Sequence, residues 1–294
     1  MKLRSGLLAV MALALVAGGC ASGGTSGPVI GPDGQPIPES ARPRNDTFTQ
    51  SAQLYLTQAQ TAGDDAAAAE RFALALESAQ ASIATDPTNP LPHFIAGQAL
   101  VGTGQFEEAD AALNEAQELY PPYAAEVDAV RESAWVDAYN TGIQAVNTGD
   151  VEGAIEHFTN ATAIYRGRPE AMLNLGAAYS QIGDVDNSAK YFGMVLDLIQ
   201  STDMATADSA RVAGWDETEQ QAAMFLGQVY YQGERYSEAA EAFGDYLERY
   251  PADIQIMSQY AMVTMAAGDT VAAEALYEEL LSRDDVDARG MYDV

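Results

Sequence analysis

The sequence predicts an all-α fold of antiparallel helix hairpins, and three observations support this prediction. Small, large apolar and glycine residues recur in register, and Gly142 and Gly176 are 34 residues apart, as are Gly227 and Ala261. Helix capping and helix-ending residues recur in the same register. Hydrophobic residues make up 48% of the 294 residues, enough to bury a sizeable core.

Residues 1–19 have the pattern of a secretory signal peptide, with Lys2 and Arg4 before an apolar run too short to span a bilayer. Residues 16–20 resemble a bacterial lipobox, which implies that Cys20 is acylated and becomes the mature N-terminus. Stable membrane attachment needs two signals, and a strongly acidic chain has no basic patch to serve as the second one. We therefore expect more than one acyl chain on the protein, palmitate included. Ordinary secretion with a free thiol is the alternative.

Residues 20–46 are rich in glycine, proline and serine and have almost no apolar periodicity. Such a segment cannot bury enough apolar surface to fold, so the sequence predicts a lipidated cysteine followed by a flexible tether. Residues 47–88 follow as a degenerate cap hairpin, with helices predicted over 47–62 and 66–84. Beyond the repeats, residues 286–294 are predicted to be a C-terminal tail.

Five segments align as repeats between residues 89 and 285. They are 89–121, 135–166, 169–200, 220–251 and 254–285. Repeat positions are counted from residue 90 in the first segment and from the first residue in the other four. The eighth positions are small, with Gly97, Gly142, Gly176, Gly227 and Ala261, and so are the twentieth positions, with Ala109, Ala154, Ser188, Ala239 and Ala273. Their twenty-fourth positions are large, with Leu113, Phe158, Phe192, Phe243 and Tyr277. Two helices that approach closely at small residues explain all three columns.

The turn inside each repeat is also predicted. The fifteenth position carries Gly104, Gly149, Gly183 and Gly268, where a left-handed helix end favours glycine. Asp150, Asp184 and Asp269 follow and can cap the next helix. Insertions separate some repeats: residues 122–134 are expected to lengthen a helix, and residues 202–218 to form a surface loop. A capping box over 216–219 is expected to start the helix after that loop.

These columns resemble the tetratricopeptide repeat, or TPR, family over about three quarters of the chain. The resemblance implies that the hairpins of residues 47–285 stack into a right-handed superhelix, an α-solenoid. The tryptophan that the family prefers at the fourth position is replaced by His93, Ala138, Met172, Ala223 and Met257.

The resemblance also implies an inner groove lined by the first helix of each repeat. The matching positions carry Phe94, Gln98, Tyr139, Asn140, Ile143, Asn174, Gln228, Tyr231 and Gln259, with Gln232 and Met262 beside them. These amide, tyrosine and apolar side chains suit an extended or helical peptide held through its backbone. The alternative is that they only pack or solvate the helices.

Catalytic and metal-binding patterns are missing from the sequence. Its two histidines, His93 and His157, fall on different helices, and it has no zinc-protease, phosphate-binding or hydrolase nucleophile motif. Cys20 is the single cysteine, which excludes an internal disulfide. We therefore expect no enzyme activity, no metal and no cofactor.

The charge restricts the partners. The formal net charge is −29, which disfavours binding to nucleic acid and unaided adsorption to anionic membranes. We expect neutral or basic protein or peptide partners and membrane contact through the lipid alone. The leading prediction is a lipid-anchored envelope scaffold, placed by Ala21 in the outer membrane facing the periplasm if the cell is Gram-negative. The alternative is an accessory or regulatory subunit of a cell-envelope enzyme complex that serves the cell wall, polysaccharide or secretion.

Overall fold

The computed structural model describes residues 28–31, 34–204, 207, 209–210 and 212–282. Over these residues the chain forms twelve α-helices and two short 3-10 helices, and its only β-type pairing is a bridge between Ile30 and Pro36. The predicted all-α fold is confirmed. No helix in this described part has the length and apolarity needed to cross a bilayer. Signal residues 1–19, Cys20 and tail residues 286–294 lie outside the described residues.

The helices form consecutive hairpins along the chain. Their bounds are α1 Thr47–Gln60, α2 Asp65–Thr85, α3 Pro90–Gly102, α4 Phe106–Leu119, α5 Ala124–Thr148, α6 Val151–Ile164, α7 Pro169–Gln181, α8 Val185–Ser201, α9 Trp215–Gln232, α10 Tyr236–Arg249, α11 Ile254–Ala266 and α12 Thr270–Leu281. Helix α5 is much longer than its neighbours because it includes most of the 122–134 insertion, as its helix-compatible sequence predicted.

The chain divides into two compact units. Among the described residues, the first contains those up to residue 144 together with 160–166, and the second contains 145–159 and those from residue 167 onward. In the first unit α1 packs against α2, α2 against α3, and α3 against α4. Its core is built from alanines and a few large side chains such as Leu56, Phe72 and Ile95.

The second unit contains three complete hairpins. Helix α7 packs against α8, α9 against α10, and α11 against α12, while the contacts of α8 with α9 and of α10 with α11 join successive hairpins. Phe192, Phe243 and Leu280 are almost completely buried in its core. The three successive hairpins therefore repeat the same packing.

Close helix contact explains the columns of small and large residues. A methyl group added at Gly97 would lie 2.6 Å from the Leu113 side chain, and one added at Gly176 would lie 2.7 Å from the Phe192 ring. The hydroxyl of Ser188 also donates a 2.8 Å hydrogen bond to the carbonyl oxygen of Gly176. The eighth position is small because the large residue of the facing helix occupies the space above it.

The turns inside the hairpins have the expected backbone geometry. Gly104, Gly149, Gly183 and Gly268 have φ between 74° and 90°. The carboxylates of Asp184 and Asp269 each accept a hydrogen bond from a backbone N–H in the first turn of the next helix. In the fourth repeat Glu234 takes the same left-handed conformation, with φ of 59°, although it has a side chain.

Part of the segment predicted to be a flexible tether is folded instead. Residues Glu39–Ala41 form a 3-10 helix, and the Arg44 backbone exchanges hydrogen bonds of 3.0 and 2.8 Å with the Asn89 side chain. The Arg44 guanidinium also forms a 2.6 Å ion pair with Asp86. The predicted flexible tether is therefore wrong at this end of the segment, because side chains some 40 residues away satisfy its polar groups. Amino-acid composition alone does not reveal such long-range pairing.

The insertion before α9 also differs from the prediction. Helix α9 begins at Trp215 after a left-handed Gly214, and no side chain caps it. The predicted capping box over 216–219 is wrong, because Glu219 is turned into the core. Trp215 is buried against Met172, Val195 and Ile199. The insertion is therefore not a surface loop throughout, because Trp215 near its end packs into the core.

Candidate functional site

The aromatic groove candidates of the first unit are engaged by other rings. The Phe94 ring stacks on Tyr123 at a centroid distance of 4.9 Å, and Tyr123 contacts Tyr120 edge-on at 5.0 Å. Tyr139 stacks on Trp135 of the same helix at 4.7 Å. Burial raises the pKa of Tyr123, with smaller contributions from Tyr120 and Glu126. The Phe94 and Tyr139 rings therefore take part in packing, as the alternative interpretation expected.

The remaining candidates of the first unit are polar or half-buried. Asn140 is exposed, while Gln98 and Ile143 are half-buried. The amides of Gln98 and Asn140 have no hydrogen-bond partner within the described part of the chain. These two amides are thus available to a ligand, and the two stacked aromatic rings are less so.

The second unit brings three of the predicted residues into one pocket. Gln228 and Tyr231 of α9 and Gln259 of α11 line a pocket of about 130 Å³, together with Gln232 and Met262. Gly227, Phe243 and Val263 form its apolar base. This volume is similar to that of a protein cavity known to bind benzene, so the pocket can take one apolar side chain.

The edge of this pocket, which we call the amide pocket, is polar but uncharged. In the described structure the side-chain amides of Gln228, Gln232 and Gln259 have no hydrogen-bond partner, and no acidic or basic residue lines the pocket. Tyr231 is 38% exposed, and its ring packs beside Tyr236 at 5.4 Å. Amides that both donate and accept, around a small apolar base, match a peptide backbone with one apolar side chain.

Asn174 is the remaining one of the nine candidates, and its side chain forms a hydrogen bond within its own helix. Its side-chain amide donates a 2.8 Å hydrogen bond to the carbonyl oxygen of Glu170. Asn174 does not line the amide pocket. The structure therefore separates Asn174 from Gln228, Tyr231 and Gln259, which the sequence had grouped with it.

The histidines have structural environments. His93 is 9% exposed, and its Nε2 donates a 3.0 Å hydrogen bond to the carbonyl oxygen of Pro87. His157 is half-buried. In the described ranges no group of three or more histidine, cysteine or acidic residues is placed to hold a metal ion.

The sequence did not identify the base of the amide pocket, although its signal was present. Gly227 and Phe243 occupy the eighth and twenty-fourth repeat positions, which were assigned only to packing between helices. The same contact that joins α9 to α10 also forms the bottom of the pocket. Tyr123, which covers Phe94, belongs to an insertion for which the repeat pattern gives no position.

Comparison with solved structures gives matches of low sequence identity. The crystal structure of MamA protein is 18% identical, with 65% of this chain and 90% of that chain covered and a TM-score of 0.38. A tetratricopeptide repeat protein from Parabacteroides merdae is 16% identical, covering 81% and 82% with a TM-score of 0.35. YrrB, described as a TPR protein with an unusual peptide-binding site, is 15% identical, covering 70% and 92% with a TM-score of 0.35.

Comparison with the curated proteins gives no match. A family model described as "Tetratricopeptide repeat" matches residues 61–124, 139–199 and 209–254, which is more than half of the chain. These three ranges include most of the hairpins seen in the structure and the greater part of the amide pocket. The chain therefore belongs to the tetratricopeptide repeat family.

Proposed function

We propose that the protein is a non-catalytic, lipid-anchored scaffold of the cell envelope that binds a peptide segment of other proteins. The observation that carries this proposal is the amide pocket, where Gln228, Gln232 and Gln259 are unpartnered around an apolar base. Membership of the tetratricopeptide repeat family supports protein or peptide partners in general. The pocket gives that general role a specific surface.

The chemistry of the pocket indicates how the peptide binds. Glutamine amides can donate to backbone carbonyls and accept from backbone N–H groups, so they hold an extended chain without requiring a particular sequence. The apolar base then selects one aliphatic or aromatic side chain by size. Because no basic residue lines the pocket, it has no cationic group to pair with a terminal carboxylate.

The net charge of −29 adds a second criterion for the partner. A strongly acidic surface attracts basic proteins, does not oppose neutral ones and repels acidic ones, and the effect is strongest at low ionic strength. We therefore propose a partner that is neutral or basic around the segment that binds.

The groove is tested with Gln228→Ala combined with Gln259→Ala. The matched control is Gln221→Ala combined with Gln53→Ala, which changes two exposed helical glutamines outside the pocket. Proteins crosslinked in living cells are identified by mass spectrometry, and circular dichroism checks the helix content. We expect at least one partner to be captured by the wild type and the control but lost from the pocket variant. Equal capture of every partner by all three proteins contradicts the proposal.

The lipid anchor is supported by the sequence pattern around Cys20. Cys20→Ala is expected to release the protein from membranes or to leave its signal peptide uncleaved, as membrane fractionation and intact mass will show. In a Gram-negative cell, Ala21→Asp is expected to shift the protein from the outer to the inner membrane. Unchanged membrane retention and mass in Cys20→Ala contradict the anchor and leave the pocket unaffected.

A further inference from the structure

The second unit contains another pocket, which shares no lining residue with the amide pocket. It lies between α10, α11 and α12 and has a volume of about 530 Å³, within the range of protein ligand sites. Leu247, Met257, Tyr260 and Leu276 give it an apolar surface. Met257 is buried, while the other three are half-buried, so apolar area remains accessible.

Carboxylates surround this apolar surface. Glu241, Asp245 and Glu248 line the pocket from α10, and Glu279 lines it from α12. All four are exposed, and none has an ion pair or a side-chain hydrogen bond with any residue that the structure describes. Glu241, Asp245 and Glu248 are spaced by four and three residues, so they share one helix face and repel one another. We call this site the acidic pocket.

The charge of the acidic pocket is local and does not simply reflect the acidic composition of the whole chain. The amide pocket lies in the same unit, shares α11 and α10 with it, and has no charged lining residue. The two pockets therefore differ in the chemistry they offer. One presents amides around a small apolar base, and the other presents four unpaired carboxylates around a broad apolar surface.

Gly244 keeps the wall of the acidic pocket open. It lies in the interior of α10, where glycine weakens a helix. A methyl group added there would come within 3.6 Å of the Tyr260 hydroxyl oxygen, an ordinary contact, so a longer side chain would extend into the pocket. Gly193 occupies the same repeat position in α8, and a methyl group there would meet no atom within 4 Å.

We propose that the acidic pocket is a second docking site, for a segment of a partner protein in which arginine or lysine alternates with apolar residues. Charge complementarity identifies this occupant, because the cations would relieve the repulsion among Glu241, Asp245 and Glu248. The apolar side chains would cover Leu247, Tyr260 and Leu276. The site is independent of the amide pocket and adds a basic, apolar partner segment to the proposed scaffold.

The probe is a short fluorescent peptide in which arginines alternate with leucines, and its binding to the full chain is followed by fluorescence anisotropy. Two control peptides carry glutamate in place of arginine or serine in place of leucine. We expect each control peptide to bind at least about tenfold more weakly. Equal binding of the serine peptide would show attraction to overall charge alone and would overturn the proposal.

Two matched pairs of protein variants locate the site. Gly244→Leu fills the pocket and is expected to weaken peptide binding about tenfold, whereas Gly193→Leu leaves it unchanged. Glu241→Gln with Asp245→Asn removes two charges at the pocket, and Glu115→Gln with Glu118→Gln removes two exposed charges from α4. Equal losses within either matched pair overturn the proposal.

The amide-pocket variant, Gln228→Ala with Gln259→Ala, separates this inference from the proposed function. It is expected to bind the arginine–leucine peptide as the wild type does. If instead it alone loses the peptide, the acidic pocket is excluded as the docking site and the amide pocket is supported.

Discussion

The hydroxyl of Tyr250 donates a 2.7 Å hydrogen bond to the carboxylate of Glu219, whose side chain is only 1% exposed. The Arg249 guanidinium forms an ion pair with the same carboxylate. Glu219 lies in the first turns of α9, and the other two residues lie at the end of α10. One buried carboxylate therefore joins the entrance of the fourth repeat to its exit.

Removing this carboxylate is expected to destabilise the second unit. Glu219→Ala loses the hydrogen bonds that its carboxylate accepts from Gln200, Arg249 and Tyr250 and leaves a small cavity. We expect a loss of about 2 kcal/mol in the free energy of unfolding. Urea denaturation followed by circular dichroism measures the change. Glu217→Ala alters an exposed glutamate of the same helix and is the control. A Glu219→Ala variant as stable as Glu217→Ala would show that the contacts of the Glu219 carboxylate contribute nothing to the stability of the fold.

The same contact predicts a pH dependence at the alkaline end. The hydrogen bond to Glu219, followed by partial burial, raises the pKa of Tyr250 to about 12 from its ordinary value of 10.0. A raised pKa means that the folded state holds the proton more tightly, so this contribution to stability is complete below pH 10 and is lost as the pH rises towards 12.

Tyrosinate absorbance tests this pH dependence. The difference between the titration curves of the wild type and Tyr250→Phe is expected to have its midpoint near pH 12, and Glu219→Gln is expected to lower that midpoint. A difference curve centred at pH 10 in the wild type would show that the hydrogen bond is absent in solution.

Glu219 also shows where sequence reasoning fails. Its spacing from Asp216 fits a capping box, so the sequence predicted that the two residues cap the start of a helix. The helix starts earlier because burial of Trp215 fixes the entry of the chain, and this turns Glu219 inward. The partners that make the inward position tolerable, Arg249 and Tyr250, lie about 30 residues away, and no local pattern reveals them.

The repeat columns were predictable because a single local rule produces them. Gly176 is small because Phe192 faces it, and the same pair recurs one repeat later as Gly227 and Phe243. The candidate groove was less predictable, because availability depends on neighbours outside the repeat. Phe94 occupies a groove position, yet Tyr123 from the first insertion stacks on it.

Glu234 offers a test of the turn geometry. It has φ of 59°, while the four equivalent positions in other repeats carry glycine. A side chain in this conformation costs about 1 kcal/mol, so Glu234→Gly is expected to raise the unfolding free energy by up to about that amount. Thermal denaturation measures the change. Gly183→Ala introduces the opposite change at the matching turn and is expected to lower stability by a similar amount. Stabilisation by both substitutions would contradict this account.

Gly227 tests the contact that joins packing to the amide pocket. A methyl group added at Gly227 would overlap the Phe243 ring, so Gly227→Ala is expected to destabilise the second unit by about 1–3 kcal/mol despite the better helix propensity of alanine. Gly193→Ala is the matched control, because a methyl group there meets open space, and it is expected to stabilise the chain by up to about 1 kcal/mol.

Combining Gly227→Ala with Phe243→Leu should recover part of the loss, because the smaller side chain frees the space above Gly227. If Gly227→Ala and Gly193→Ala change stability in the same direction, the eighth position is not constrained by the facing aromatic ring.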